Sequence, residues 1–156
     1  MQVLLIDDHP IVLEGCRQLL KFAGVKRIGV KRIVETQSLA EGFRLYRSKK
    51  PDVIIVDLAM RAGALGGLSF IRRLRLHDTR TPILVFSMHN DPFIVSRALK
   101  IEANGYILKD TPGEEIVRAF ERVRDGSPYL SHELASDVHP GRRASPPRAI
   151  MRRAEI

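Results

Sequence analysis

Apolar residues recur along this chain in five short runs, and each run is followed by a polar or charged residue. The run Val53–Val56 is continuous and β-branched, which is typical of a parallel strand that is covered on both faces. The second run contains Lys31 and Arg32, and this charge predicts a strand at the edge of a sheet. The five runs cover residues 3–6, 28–34, 53–56, 83–86 and 106–108.

The stretches between the runs have the periodicity of amphipathic helices. In the first stretch Val12, Cys16, Leu19, Leu20 and Ala23 fall at i, i+4, i+7, i+8 and i+11, which is one face of a helix. This position predicts that Cys16 is a core residue. Four further helices are predicted at residues 39–47, 68–76, 92–102 and 111–125.

Two of these helices have a recognisable start. The motif Thr111-Pro112-Gly113-Glu114 predicts a capping box, with Thr111 as the N-cap residue and Glu114 reaching back to it. Asp91, which stands before a proline, is predicted to open the preceding helix in a similar way.

Five strands that alternate with five helices predict a doubly wound α/β fold with a parallel sheet. Right-handed crossovers between parallel strands place the helices on both faces of such a sheet. Ligands of doubly wound sheets bind outside the carboxyl ends of the strands. The residues that follow each strand are therefore the first candidates for a functional site.

Polar side chains follow four of the predicted strands. Asp7 and Asp8 follow the first strand, Asp57 the third, Ser87 the fourth and Lys109 the fifth. Neighbouring strands lie about 4.8 Å apart, so these side chains can meet. Three carboxylates cannot all stay ionised at one place without cost, and a divalent cation resolves that conflict. An oxygen-only set of ligands favours Mg²⁺.

These residue types suit phosphoryl transfer. Beside a bound cation, one carboxylate can act as a nucleophile and accept a phosphoryl group, while Lys109 neutralises a phosphoryl oxygen and Ser87 donates a hydrogen bond. Taken singly, each residue also has an ordinary explanation as a helix cap, a turn residue or a surface lysine. Their joint placement at the strand ends favours a functional site.

The composition is that of a globular protein. Apolar residues make up 44% and charged residues 28%, and no apolar run approaches the roughly 18 residues of a membrane-spanning helix. Residues 1–8 do not form a secretory signal peptide. Cys16 is the single cysteine, which excludes an internal disulfide and a paired-cysteine zinc site. We therefore expect a cytoplasmic protein with no membrane partner.

The charge balance is basic. Lys and Arg number 26 against 18 Asp and Glu, a net charge of +8. Such an excess suggests acidic partners, nucleic acid among them, and a solvated basic surface is an equal alternative. Residues 137–156 contain five arginines and no Phe, Tyr or Trp that could stack on bases.

Three motifs carry a resemblance to a known family. They are Asp7-Asp8-His9-Pro10, Ser87-Met88-His89-Asn90-Asp91-Pro92 and Gly105-Tyr106-Ile107-Leu108-Lys109-Asp110. With Asp57 between the first two, the chain resembles a response regulator receiver domain of the CheY-like family, NarL/FixJ subfamily, over residues 2–134. The resemblance implies a five-stranded flavodoxin-like (βα)5 receiver domain at residues 1–126, with strand order 2-1-3-4-5.

The resemblance also implies an acceptor and a metal site. Asp57 would be the phosphoacceptor, and the phosphoryl donor would be the phosphohistidine of a sensor histidine kinase. The metal ligands for Mg²⁺ would be Asp8, Asp57 and the backbone carbonyl of Ala59, with Asp7 assisting through water.

A switch is implied as well. Lys109 would pair with the phosphoryl group, Ser87 would move toward it, and the Tyr106 ring would change rotamer in response. The switched face would comprise the fourth helix, the fifth strand and the fifth helix, which is also a possible homodimer interface. The family usually regulates transcription.

Two regions depart from the family pattern. After Asp57, Arg61 replaces the usual proline and the loop to Gly67 is longer by one or two residues, which predicts a more flexible loop and bears on the Ala59 carbonyl. Residues 127–156 resemble a basic linker and a flexible tail, where the subfamily usually continues into a helix-turn-helix domain. Without a recognition helix, we expect no sequence-specific DNA binding by this chain.

Three functions are compatible with these residues. The first is a Mg²⁺-dependent phosphoacceptor, a signalling protein and not an enzyme. The second is a receiver-like interaction module that no longer needs phosphate, which the altered loop after Asp57 suggests. The third, a metal-dependent phosphotransferase or phosphatase for small molecules, ranks last because short loops leave little room for a substrate pocket.

Overall fold

Six parallel strands form one sheet in the computed structural model, which describes residues 1–23, 29–60 and 65–135. The strands are β1 (Gln2–Ile6), β2 (Arg32–Thr36), β3 (Val53–Val56), β4 (Ile83–Ser87), β5 (Gly105–Leu108) and β6 (Tyr129–Leu130). They lie in the order β2-β1-β3-β4-β5-β6, and every pair of neighbours is parallel. The parallel α/β fold is therefore confirmed.

The helices occupy the predicted stretches between the strands. They are α1 (Pro10–Ala23), α2 (Leu39–Lys49), α3 (Gly66–Arg75), α4 (Pro92–Lys100) and α5 (Gly113–Arg124), and a short α6 (His132–Ala135) follows β6. Asp91 caps α4 as predicted, because its side chain accepts a hydrogen bond from the backbone N–H of Phe93. None of the described helices combines the length and the apolar character that crossing a bilayer requires.

The sheet has one strand more than the five predicted. The predicted order 2-1-3-4-5 is present, and β6 extends it by pairing Tyr129 with Gly105 and Leu130 with Tyr106. Two residues are too few to show the alternation by which a strand is recognised in a sequence. The strand lies in the segment that the sequence assigned to a linker, while residues 136–156 of the predicted tail lie outside the described residues.

Two other predictions concern the position of β2 in the sheet and the start of α5. The strand β2 lies at the edge of the sheet as predicted, but it begins at Arg32, and Ile28 lies outside the described residues. The predicted capping box of α5 is wrong. The N-cap residue is Pro112, which makes no side-chain capping bond, and the Thr111 hydroxyl lies 3.4 Å from that of Ser131. The Thr111 hydroxyl therefore lies toward Ser131, which follows β6, and does not cap α5.

The sheet separates two apolar clusters, one on each face. Leu4 and Ile6 of β1 lie in the cluster covered by α2, α3 and α4, whereas Val3 and Leu5 lie in the cluster covered by α1 and α5. Cys16 is buried in the second cluster, as predicted. Since successive side chains of a strand point to opposite faces, covering both faces requires the continuous apolar runs seen in the sequence.

Gly67 allows α3 to begin directly against the end of β3. Its backbone N–H donates to the Leu58 carbonyl at 3.0 Å. A Cβ atom at this position would lie 2.3 Å from the Asp57 carbonyl oxygen and 2.6 Å from the Leu58 Cα. Both are backbone atoms, so they can give way only if the strand end that carries Asp57 shifts.

We expect Gly67→Ala to lower the free energy of unfolding by about 2 kcal/mol, because the methyl group overpacks rigid backbone. Urea denaturation measures the change. The matched control is Gly15→Ala in α1, where a Cβ would meet nothing within 4 Å; this change should stabilise the protein by about 0.5 kcal/mol through helix propensity. A Gly67→Ala protein as stable as the parent would show that the close approach is not required.

Candidate functional site

The structure brings four of the predicted site residues together at the carboxyl edge of the sheet. Asp7 and Asp8 follow β1, Asp57 follows β3 and Lys109 follows β5. The backbone N–H of Asp57 donates to the Ile6 carbonyl at 3.0 Å, which holds the ends of β1 and β3 together. The three acidic residues are between 2% and 6% exposed, so their carboxylates meet in a largely dehydrated place.

Lys109 joins two of these carboxylates. Its Nζ lies 2.8 Å from Asp7 Oδ2 and 3.0 Å from Asp57 Oδ2. Burial by itself would lower the pKa of the lysine, but the hydrogen bonds and the charges of the two carboxylates outweigh burial and raise its pKa above the ordinary value. Lys109 therefore stays a cation throughout the physiological pH range.

His9 also belongs to the site, although the sequence analysis did not select it. Its Nδ1 lies 2.9 Å from Asp7 Oδ1 and 2.9 Å from Asp8 Oδ1, and its backbone N–H donates to Asp7 Oδ1. The ring itself is half-exposed. Its place directly after Asp8 in the first motif was the available signal, but an adjacent residue in a loop need not turn toward its neighbours.

The donor atoms fit a single divalent cation. One oxygen from each of Asp7, Asp8 and Asp57 and one nitrogen of His9 lie within 4.8 Å of one another. Opposite ligands of Mg²⁺ lie about 4.2 Å apart, so small movements would let the carboxylates share one ion. Three buried carboxylates beside one lysine also leave an excess of negative charge that a cation would neutralise.

Ala59 lies next to the acceptor candidate. Its backbone N–H donates to Asp57 Oδ1 at 3.3 Å, so the chain turns back toward the carboxylate directly after β3. The role of its carbonyl as a metal ligand stays a prediction. Residues 61–64 of the altered loop, including Arg61, lie outside the described residues.

Ser87 and Tyr106 form a second group beside the carboxylates. Ser87 is fully buried at the end of β4, and its hydroxyl accepts a hydrogen bond from the backbone N–H of His89. The Tyr106 hydroxyl donates to the His89 carbonyl at 2.7 Å, and the ring is fully buried. Burial raises the pKa of Tyr106 to about 12; the hydrogen bond with Ser87 opposes this rise, and the charge of Asp57 adds a smaller one. The tyrosine therefore stands inward, bonded to the loop after β4.

Comparison with known proteins agrees with this fold. The sequence profile of the response regulator receiver domain matches residues 3–121. The methanol utilization control regulatory protein MoxX of Paracoccus denitrificans is 38% identical over all of this chain and 70% of its own length. The nitrate/nitrite response regulator protein NarL of Escherichia coli K12 is 35% identical over 85% of this chain and 58% of its own length.

Solved structures have the same architecture. A two-component response regulator of the LuxR family from an Aurantimonas strain superimposes with a TM-score of 0.77 at 32% identity, covering 86% of this chain and 92% of that one. The isolated receiver domain of RcsB from Salmonella enterica serovar Typhimurium gives 0.77 at 25% identity, covering 89% and 99%. The chain belongs to the response regulator receiver domain family, and its relatives are two-component response regulators of the NarL and LuxR type.

We expect Lys109→Met to lower the free energy of unfolding at pH 7 by about 3 kcal/mol, because it leaves two buried carboxylates without their cation. The folded-state pKa of Lys109 is raised. Its contribution is therefore complete at neutral pH and is lost only as pH rises from about 10.4, the ordinary lysine pKa, through the higher folded-state value. Urea denaturation from pH 7 upward should show the two proteins converging in that alkaline range.

The control for this variant is Lys100→Met, which removes an exposed lysine at the end of α4. It should change the free energy of unfolding by less than about 0.5 kcal/mol. Equal stability of Lys109→Met and the parent at pH 7 would contradict the role of Lys109 as the counter-ion of the site.

Proposed function

We propose that this chain is a Mg²⁺-dependent phosphoacceptor, which takes a phosphoryl group from the phosphohistidine of a sensor histidine kinase onto Asp57. The observation that carries this proposal is the position of the Lys109 ammonium between the carboxylates of Asp7 and Asp57. This arrangement supplies a nucleophile and a fixed positive charge at the place where phosphoryl charge would arrive.

The transfer is a displacement at phosphorus. A carboxylate oxygen of Asp57 forms the new P–O bond, the P–N bond of the phosphohistidine breaks, and the imidazole nitrogen keeps the electron pair. Lys109, already 3.0 Å from Asp57 Oδ2, would neutralise a phosphoryl oxygen. The Ala59 N–H on Asp57 Oδ1 orients the carboxylate.

The residues that would hold Mg²⁺ are Asp7, Asp8 and Asp57, together with the carbonyl of Ala59. When bound, the ion would shield the carboxylates from the negative charge of the phosphoryl group. His9 Nδ1 lies 2.9 Å from a carboxylate oxygen of Asp7 and of Asp8. When the ion binds these carboxylates, the His9 ring would either move away or remain next to the ion.

Ser87 and Tyr106 would convey the signal. The phosphoryl group would draw the Ser87 hydroxyl away from the His89 N–H, and the loop that holds the Tyr106 hydroxyl would rearrange with it. Such a switch is a population shift that new hydrogen bonds bias. The face formed by α4, β5 and α5 would then change, and a second copy of the chain is the partner we propose for it.

Related proteins support the proposal that the receiver dimerises and acts on transcription through an output domain. The receiver domain of RcsB has been solved in the presence of the phosphomimetic BeF3⁻, and RcsB dimers have been solved on DNA. This chain spans 58% of NarL and 70% of MoxX. We therefore propose transcription control only for a protein that joins this receiver to an output domain, and no sequence-specific DNA binding for residues 1–135.

Phosphorylation tests the proposal directly. With Mg²⁺ and acetyl phosphate, intact-mass measurement should show the gain of one phosphoryl group, because Asp57 is the nucleophile and Lys109 offsets the added charge. Asp57→Asn should abolish the gain, and Glu114→Gln, an exposed acid on α5, should not. Equal labelling of Asp57→Asn would contradict the proposal. No labelling of the parent would favour the phosphate-independent interaction module.

Mg²⁺ binding gives a second test that does not depend on phosphate. At one hundred times its dissociation constant, Mg²⁺ should raise the free energy of unfolding by about 2.7 kcal/mol, since it binds the folded site and not the unfolded chain. Asp8→Asn should remove most of this gain, because it deletes one carboxylate ligand, and Glu114→Gln should retain it. Thermal or urea denaturation with and without Mg²⁺ measures the difference, and an equal gain in Asp8→Asn would exclude this site.

A further inference from the structure

A groove with a volume of about 560 Å³ lies between α2 and α3. Pro51 and Thr81, which border it, stand two residues before β3 and β4, so the groove is at the edge of the sheet opposite Asp57. Its volume lies within the range of about 300–1,000 Å³ that is usual for small-molecule sites. The phosphoacceptor function proposed above makes no use of this groove.

The groove is lined by basic side chains. Arg47 and Lys50 reach it from the end of α2, and Arg73 and His77 reach it from α3 and the turn that follows. No carboxylate in the described part of the chain forms an ion pair with any of the four. Three permanent cations therefore face one small volume, and none of them is held in an ion pair with a described residue.

Asp78, a carboxylate in the lining, is occupied by its own neighbours. Its Oδ2 accepts hydrogen bonds from the hydroxyls of Tyr46, at 2.6 Å, and Thr81, and its Oδ1 accepts from the backbone N–H groups of Arg80 and Thr81. Partial burial alone would raise the pKa of Asp78, but these bonds outweigh burial and hold it well below the ordinary value. The Asp78 carboxylate therefore links Tyr46 of α2 to the turn before β4, and it forms no ion pair with the cations of the groove.

An aromatic ring fixes the two arginines. The guanidinium carbon of Arg73 lies 4.2 Å from the centroid of Phe43, and that of Arg47 lies 5.9 Å from it. A guanidinium held against a ring loses less conformational freedom when it binds a ligand, and its planar fork suits phosphate oxygens. The rings of Phe43 and Tyr46, which are partly exposed, also give the groove an apolar wall, which a phosphate ion would not need but a nucleotide base would use.

Lys50 stands in a backbone conformation that favours glycine. It is the C-cap residue of α2, with φ of 48° and ψ of 62°, and its N–H donates to the Tyr46 carbonyl. Glycine is the usual residue at such a left-handed cap, because a side chain there costs backbone strain. A lysine at this position keeps a cation at the rim of the groove, and such strain is often found at functional sites.

We propose that this groove binds a nucleotide, with its phosphates on Arg47, Lys50 and Arg73 and its base against the wall formed by Phe43 and Tyr46. Three cations around one open groove match the two or three phosphates of a nucleoside polyphosphate. A nucleic acid strand or an acidic peptide would instead need a basic surface much longer than this cluster.

The test is isothermal titration calorimetry of the full chain with ATP, with EDTA present so that no cation recruits ATP to the acidic site. We expect saturable binding of one ATP per chain. Arg47→Gln with Arg73→Gln should weaken it at least about tenfold, since two charge-assisted contacts are lost. The matched control, Arg97→Gln with Lys100→Gln on α4, removes the same charge and should weaken it less than about twofold. Asp57→Asn should bind as the parent does, which separates this site from the phosphoacceptor.

Lys50→Gly is a second test variant for the case that the arginine variants do not fold, because it removes a cation from the groove and also relieves backbone strain. It should weaken ATP binding severalfold while the melting temperature stays equal or rises. The absence of saturable ATP binding, equal losses in the α4 control, or binding of inorganic triphosphate as tight as that of ATP would overturn the proposal. So would a thymidine oligonucleotide or a polyglutamate peptide that binds through Arg47 and Arg73 more tightly than ATP.

Discussion

One buried ammonium group holds the functional edge of this protein together. Lys109 lies within 3.0 Å of two carboxylates that are almost completely buried, and without it Asp7 and Asp57 would repel each other in a place that water hardly reaches. The same cation would stabilise an incoming phosphoryl group. The interaction that makes the cluster tolerable in the fold is thus the one that would let Asp57 accept phosphate.

The parallel sheet brings the residues of this cluster close together in space. The ends of β1, β3 and β5 lie at one edge, so residues about fifty positions apart in the chain become neighbours. Gly67 contributes from α3, because the absence of a side chain lets the helix start against the backbone that carries Asp57. Apolar clusters cover both faces of the sheet, and the site is therefore mounted on the ends of buried strands.

The two edges of the sheet have opposite electrostatic character. At the carboxyl edge, the three carboxylates of Asp7, Asp8 and Asp57 exceed the single positive charge of Lys109, and this excess favours binding of a cation. At the other edge, Arg47, Lys50 and Arg73 line a groove whose carboxylate, Asp78, pairs with none of them, and these cations favour binding of an anion. Because the two sites lie at opposite ends of the strands, occupation of one leaves the other open.

The sequence by itself determined the fold class and the identity of the strand-end residues, because burial on both faces demands apolar runs and each run is followed by a polar residue. The order of the first five strands followed only from the resemblance to receiver domains. Only the tertiary structure decided the rest. The two residues of β6 carry no periodic signal, the Thr111 hydroxyl turns to Ser131 instead of capping α5, and His9 joins Asp7 and Asp8. The first two depend on contacts between segments whose relative positions no local pattern encodes, and the third depends on how the loop after β1 turns the His9 ring toward its neighbours.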